Sequence, residues 1–538
     1  MQWRQRPSRQ RILAQEKNEV SLRSGTPISA VLVYPNTYDV GISNLGFQTV
    51  FRLLNSLGYV RCERAFFDPK HPRESRSLDS DRPLAHFDVI AFSISFEMDY
   101  LNVVAALENS GISALSYKRP QHLVMAGGVC TFANPVPLSP FIDVFVIGEA
   151  EGPLEQMFAA LTKTRGATKL DRLHALSSID GVYVPAISNQ QPAFPGVTRQ
   201  HLPSLETEDT YSVISTPLAH FGSAFLIEIG RGCGRACSFC LAGSVYRPVR
   251  TRTLDQLMCL VRQKAPVGTK IGLVGAGLSD YPALTELCQL LVEEGYKLAL
   301  SSLRADRVSS ELIHALVKGG VRTLSIAPEA GTERLRNVLN KHISTQTILN
   351  AAATAFEGGI AKLRLYFMIG LPFETPEDIQ AIVSLTRAIA AHTAPRARLA
   401  LSVSVHPFVP KPATPFQWCA MPTEQELTQK GDLVDREIRR IPHIVLRRSS
   451  PRQAIVQGLI STGNERVGMA IYHHVVEQLP WKQACKQAGV DLTGIHREKS
   501  RDGEFPWDFI DHGLTKEMLW QQYQHAKTAA NAGTQTSL

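Results

Sequence analysis

FLIEIGRGCGRACSFCLAG, residues 225 to 243, is the stretch on which the reading of this chain turns. FLIEIG is an apolar run of the kind that makes a buried strand, and it leads into three cysteines, Cys233, Cys237 and Cys240, spaced CxxxCxxC. Thiolates are the soft ligands that iron–sulfur clusters take, and three so close in sequence can face one cluster from a single loop. A cubane cluster has four irons, so three thiolates leave one iron open to another ligand. A structural zinc loop normally needs a fourth Cys or His in a second pair, and no such pair is visible.

CxxxCxxC with Phe239 just before the last cysteine resembles the radical S-adenosylmethionine (SAM) superfamily. The resemblance implies a 4Fe-4S cluster on Cys233, Cys237 and Cys240, with SAM chelated through its amino and carboxylate groups at the free iron. It further implies reductive cleavage of SAM to methionine and a 5′-deoxyadenosyl radical, with the electron supplied by a flavodoxin or ferredoxin-type reductant.

Working downstream, six strand and helix units follow one another. The strands are FLIEIG (225–230), KIGLVGAG (270–277), KLALSSLRA (297–305), TLSIAPEAG (323–331), KLRLYFMIGLP (362–372) and RLALSVSVHPF (398–408). The segments between them have helical spacing, and several end at glycine. Such units predict an α/β fold, a partial (βα)6 TIM barrel, open on one side, with its site at the carboxyl ends of the strands. By the resemblance, Gly275, Ala276 and Gly277 face the SAM amino group, although the family's usual GGE is absent and so is its acid. Ser302, Arg304 and Glu329 are then the expected contacts to the ribose, carboxylate and amino groups, and Gly370 and Pro372 those near adenine. Thr375 and Pro376 predict a helix start by capping chemistry alone.

Upstream, residues 28–165 alternate near-continuous apolar strands (ISAVLVYP, DVIAFSIS, HLVMAGG, VFVIG) with helices, the pattern of a doubly wound, Rossmann-like parallel sheet. That order resembles the cobalamin-binding domain that precedes many radical SAM barrels, with Ser93, Gly127 and Gly128 at the expected ligand positions. The family's DxHxxG loop has no counterpart, because Asp39 to Ser43 contains no histidine. Cobalamin therefore stays open as a third cofactor, beside an empty or different role for the domain.

The chain divides accordingly into a basic N-terminal tail (1–27), the Rossmann-like, cobalamin-binding-type domain (28–165), a linker or insertion with a small β-hairpin (166–217), the radical SAM barrel (218–420) and a mainly helical C-terminal region (421–538) ending in a disordered-looking NAGTQTSL. The proline-rich, aromatic HPFVPKPATPFQW (406–418) is placed to close the open edge of the barrel, and His473, His474, Trp481, Trp507 and Asp508 are placed to reach over its mouth. The other six of nine cysteines are scattered singly, unlike a secreted disulfide framework. No apolar run approaches the roughly 18 residues of a membrane span, and the N-terminus lacks a signal-peptide core, so no membrane and a cytoplasmic location are expected. A net charge of +8 permits RNA as a substrate without requiring it.

The expected function is radical SAM chemistry, with cobalamin-dependent methylation of an unactivated carbon as one outcome. RNA modification such as methylthiolation, and a non-catalytic iron–sulfur electron-transfer or regulatory protein, stand as alternatives. The substrate, whether small molecule, peptide or RNA, is not written in the motifs.

Overall fold

The computed structural model describes residues 7–190, 194–393 and 400–535. Its first sheet is built from β1 (Ile28–Tyr34), β2 (Val60–Phe66), β3 (Val89–Ser93), β4 (Leu123–Gly127), β5 (Val144–Val146) and β6 (Val182–Tyr183), in the order β2-β1-β3-β4-β5-β6. All pairs are parallel except the last. Burial on both faces is what the Val, Ile and Leu runs require, and helices α1 (Leu45–Ser56), α2 (Asp99–Glu108) and α3 (Glu151–Lys163) flank the sheet. The order reverses between β1 and β3, so a crevice opens at their carboxyl ends, where ligands bind in doubly wound sheets.

Strand β2 was not among the expected strands, because VRCERAF carries three charges. The fold satisfies them from elsewhere in the chain. Arg64 is fully buried between Glu16 (2.8 Å) and Asp79 (2.6 Å), while Glu63 accepts hydrogen bonds from Ser77 and Ser80. Glu16 follows a short helix, Arg9–Gln15, so the described part of the basic tail is docked rather than free. The hairpin expected around DGVYVPAIS does not form. Val182–Tyr183 instead adds an antiparallel edge to the first sheet, and Pro185–Ser188 is a helical turn.

The second layer system is the partial barrel. Strands β7 (Phe225–Arg231), β8 (Lys270–Gly275) and β9 (Lys297–Leu300) pair in parallel, and a single parallel bridge, Leu303 to Ile326, carries the wall on to β10 (Thr323–Glu329), β11 (Lys362–Ile369) and β12 (Ala400–Pro407). Residues 398 and 399 of the sixth expected strand lie outside the described residues. Helices α4 (Leu254–Lys264), α5 (Leu284–Glu293), α6 (Ser310–Lys318), α7 (Thr345–Glu357) and α8 (Pro376–Thr393) cover the outside. Thr253 and Gln256 form a reciprocal capping box at the start of α4, and Ser309 and Ser344 cap α6 and α7.

The C-terminal region is mainly helical, as expected, and adds a seventh strand to the barrel. After α9 (Glu424–Ile438), β13 (Ile444–Arg448) pairs in parallel with β12 and takes the open edge assigned above to the proline-rich segment. Phe408, Phe416 and Trp418 of that segment are buried instead, with Trp418 packed on Trp520 at a ring separation of 5.1 Å. Helices α10 (Pro451–Ser461), α11 (Glu465–Val475), α12 (Trp481–Gln487) and α13 (Lys516–Gln535) complete the region. Helix α13 runs into the stretch expected to be disordered, and residues 536 to 538 lie outside the description. Trp507 is buried and donates to Gln417 Oε1 (3.0 Å), Trp481 is buried against His474, and His473 pairs with Glu477, so these residues serve C-terminal packing. Among the described residues no helix is long and apolar enough to cross a membrane.

Candidate functional site

The cysteine loop leaves β7 through Gly232, whose φ of +84° and close approach to the Tyr246 carbonyl admit no side chain; a Cβ there would sit 2.5 Å from that oxygen. The loop is held from its far side by the segment after β10. Ser238 N–H donates to the Leu339 carbonyl (3.0 Å) and Asn340 Nδ2 to the Ala236 carbonyl (2.8 Å). Cys240 N–H donates to the Cys237 carbonyl (3.0 Å), which folds the last two cysteines into one turn.

All three thiols are half-buried. Burial pushes Cys237 up to about 11 and raises Cys240; Cys240 adds to the first shift and Cys233 to the second, so the three groups share one neighbourhood. Among the described residues no three His, Cys, Asp or Glu side chains converge on a single ion. A cubane does not ask for such convergence, because each thiolate binds its own iron. A half-buried, all-thiol set on one loop fits the cluster.

The strand ends beside this loop fall into two groups. Gly277 packs directly on Cys233, and a Cβ added there would lie 3.6 Å from Cys233 Cα, while Gly275 and Ala276 line a cavity described below. Glu329 ends β10 with φ +69°, unusual for a residue with a Cβ, at a break in register after Ile326. Its carboxylate accepts from Lys341 Nζ at 2.9 Å and contributes to the raised pKa of both Cys237 and Cys240. Lys341 is buried, and the linear sequence gave no sign of it because it lies 12 residues beyond its partner.

The remaining expected contacts sit differently. Ser302 is exposed beyond β9. The Arg304 guanidinium is occupied by Asp306 (3.0 Å) and the Lys341 carbonyl (3.0 Å). Phe239 packs partly buried against the core, and Pro372 is half-buried. Gly370 N–H is taken by the Glu374 carboxylate (3.0 Å), and its Cα faces Leu427 of α9 and Pro422. The structure thus brings the glycines of β8 and Glu329 to the cysteine loop and turns Gly370 toward a helix.

Between the two sheets lies a cavity of about 410 Å³. Its mouth is formed by Gly230, Gly232, Gly275 and Ala276 of the barrel, facing Ser93, Ser95, Gly127 and Gly128 at the carboxyl ends of β3 and β4. Val50 and Leu54 of α1 and Leu154 and Phe158 of α3 also line it. Gly128 has φ +114° and a Cβ there would meet the Ile94 carbonyl at 2.2 Å, so the wall can follow this course only with glycine. Histidine is not among the lining residues.

Arg231, two residues before Cys233, sits at the edge of this cavity and donates to Glu149 (2.8 Å), Glu151 (2.6 Å) and Glu228 (3.0 Å). Arg250 adds a second bond to Glu149 (2.6 Å); burial, opposed by Arg231 and Arg252, leaves Glu228 raised, while Arg250 and Arg231 overcome burial to hold Glu149 below the usual carboxylate range. GEAEGP at 148 to 153 thereby anchors the first sheet to the strand that presents the cysteines. The anchor leaves no local sequence signal, since its partners lie about 80 residues apart.

A partial parallel barrel carrying three cysteines after its first strand, preceded by a doubly wound sheet, defines a class of enzyme. Residues 227–386 match the family model described as the radical SAM superfamily, and residues 46–185 match that of the N-terminal region of radical SAM proteins. An uncharacterized protein of Methanocaldococcus jannaschii is 32% identical over 393 residues, covering 72% of this chain and 79% of that one. An uncharacterized methyltransferase of Pyrococcus horikoshii is 23% identical over 278 residues, 50% of this chain and 58% of its own length. Among solved structures, a cobalamin-dependent SAM radical enzyme with aqua-cobalamin and SAM bound aligns over 95% of this chain and 80% of its own, at 13% identity and a TM-score of 0.47. The chain belongs to the radical SAM superfamily, and with that membership come the family's cofactors, a 4Fe-4S cluster and SAM.

Proposed function

We propose that this enzyme methylates an unactivated carbon, with the cluster and SAM at the mouth of the barrel and cobalamin in the cavity between the sheets. Cys233, Cys237 and Cys240 hold the cluster, Gly275, Ala276 and Gly277 admit SAM by close backbone approach, and Lys341 holds the Glu329 carboxylate in place. SAM bound at the free iron supplies a 5′-deoxyadenosyl radical, and cobalamin supplies a transferable methyl group.

The observation that carries the cobalamin reading is the position of the cavity. It lies at the carboxyl ends of β3 and β4, with many apolar side chains in its lining, and the barrel side of that lining includes Gly275 and Ala276, while the next glycine, Gly277, touches Cys233. Ser93, Gly127 and Gly128 are in the lining and would help to hold the cofactor there. No imidazole is among the lining residues; one relative is named a methyltransferase, and others are named a ribosomal protein uS12 methylthiotransferase and a tRNA-2-methylthio-N(6)-dimethylallyladenosine synthase, so methylthiolation stands as the second reading. The residues around both sites exclude water and position the reactants, which is the protein's share of cofactor chemistry. A cytoplasmic setting with a flavodoxin or ferredoxin-type reductant belongs to the same reading.

Anaerobic reconstitution tests it. The reduced protein with SAM should form 5′-deoxyadenosine and methionine, Cys237→Ala should abolish both, and hydroxocobalamin should be retained through gel filtration with its visible spectrum. Ser93→Phe, which fills the mouth, should release cobalamin and leave the cluster absorbance in place. Retention by Ser93→Phe equal to the native chain would remove the cavity from the argument.

A further inference from the structure

The barrel's inner wall on the side of β11, β12 and β13 is unusually polar, and it carries two arginines that nothing in the fold engages. Along β11 the buried residues are Leu363, Leu365, Phe367 and Ile369, which face the outer helices, so Arg364, Tyr366 and Met368 face inward. Along β12 Leu401, Val403 and Val405 are in the core, which turns Ser402, Ser404 and His406 inward. On β13 Arg448 reaches out to Asp432 of α9 (2.7 Å), and the alternation sends Val445 and Arg447 to the inner face. The ring contacts agree: Tyr366 and His406 lie nearly parallel (17°) with centroids 6.3 Å apart, and His406 Nδ1 meets Ser449 Oγ at 2.7 Å, leaving Nε2 free toward the lumen.

A closed barrel fills such layers with branched apolar side chains. Here the register sets Arg364 beside Ser325 and Ser402, and Arg447 beside Ser404, with Tyr366 next along. Among the described residues neither guanidinium has a hydrogen-bond or ion-pair partner, although Arg364 is half-buried. The nearest inward carboxylate, Glu329, is taken by Lys341. Arg231, Arg235 and Arg334, at comparable depth, are each paired with a carboxylate, whereas Arg172 and Arg199 also keep unpartnered guanidinium nitrogens but lie outside the barrel lumen. Arg447 is exposed, whereas Arg364 is half removed from water without an acceptor, a cost that is offset when an anion arrives.

We infer that this wall is the substrate seat of the enzyme and that it takes a small anionic molecule, one carrying a carboxylate or phosphate, through Arg364 and Arg447 with the inward hydroxyls as supporting donors. Strand spacing and rise put the two arginine Cα atoms about 12 Å apart, two strands across and two residues along. Two extended side chains close that span from either side, and the planar guanidinium fork matches both anions in bidentate fashion. The seat lies across the lumen from the cysteine loop, with Glu329, which bears on both Cys237 and His406, between them. The assignment of this seat as the reaction chamber rests on the radical reading above; its preference for anions does not.

Calorimetric titration of the full-length, as-purified chain with inorganic pyrophosphate and with citrate, at fixed ionic strength set by sodium chloride, tests it without cluster or SAM. One equivalent of at least one anion should bind, and Arg364→Gln and Arg447→Gln should each weaken it tenfold or more, whereas Arg439→Gln, an exposed residue paired with Asp435, should not. Binding of pyrophosphate alone identifies a phosphate ligand and of citrate alone a carboxylate. Should the glutamine variants not fold, Arg364→Lys and Arg447→Lys, which keep charge and lose the fork, should still show weakened binding. The inference is overturned if neither anion binds the native chain, if all variants bind alike, or if only bulk tRNA binds and the two arginine substitutions abolish that. Failure to form 5′-deoxyadenosine would sink the radical reading and leave these titrations as they stand.

Discussion

Asp99 opens α2 at the carboxyl end of the first sheet and is almost wholly inaccessible, 2% exposed. Its Oδ1 accepts from Asn36 Nδ2 (2.8 Å) and from Asn102 Nδ2 (3.0 Å), and both donors are neutral. Burial pushes the carboxyl up to about 6. Because the folded value lies above the unfolded one, the native state holds more protons between about pH 4 and 6, and stability is lost as pH rises through that window. At about 1.4 kcal/mol per unit, the gap of roughly two units corresponds to a ceiling on the order of 3 kcal/mol above pH 6. Asp99→Asn keeps Oδ1 and both donors and never ionises, so it should stabilise the first sheet by up to that amount at pH 7 to 8 and by little at pH 4. A chain of this size need not unfold in one step, so the fitting assay is amide hydrogen exchange of β1 and β3, native against variant, at each pH. Equal protection at pH 8, or faster exchange in the variant, would refute the reasoning.

Three further outcomes follow from the same structure. His512 is buried with neither ring nitrogen partnered among the described residues, and burial, with Arg199, lowers it to about 4; its contribution is therefore complete above pH 6.5 and lost as pH falls toward 4, by about 3 kcal/mol, and His512→Phe should flatten this dependence in acid denaturation followed by tryptophan fluorescence. Arg231→Met leaves three buried carboxylates short of their shared cation and should cost about 3–5 kcal/mol, and it should also lower iron per chain after reconstitution because the anchor of the cysteine strand is cut. Gly128→Ala must place a Cβ 2.2 Å from the Ile94 carbonyl at φ +114°, and a loss of about 2–4 kcal/mol should appear as a lower thermal midpoint.

The elements legible in the sequence are those whose stabilisation is local. An apolar run followed by a helical period announces its own burial, so β1, β3, β4 and the first six barrel strands could be read directly. Strand β2 could not, because Arg64 is acceptable inside only when Glu16 and Asp79 arrive from other segments. Strand β13 alternates half-buried with exposed residues at an open edge and lacks the apolar run of a core strand. For the site, the cysteines and the glycines of β8 carry their chemistry in their spacing. Lys341, Arg231 and the cavity do not, since each exists only where distant segments meet. Gly370 shows the converse, a motif residue whose N–H is already spent on Glu374.

Asn134, just beyond β4, donates through Nδ2 to the carbonyls of Ser461 (3.0 Å) and Gly463 (2.9 Å) at the end of α10, and the strand Val197–Thr198 finds its partner in Ile510–Asp511. The first of these contacts spans 327 residues of chain. At a synthesis rate of about 5–20 residues per second, Asn134 leaves the ribosome roughly 16–65 s before Ser461 exists. During that interval the face of α2 on which α11 will pack stands bare. The nascent chain therefore passes through a long stage in which the first sheet can form while its clasp from the C-terminal region is still missing.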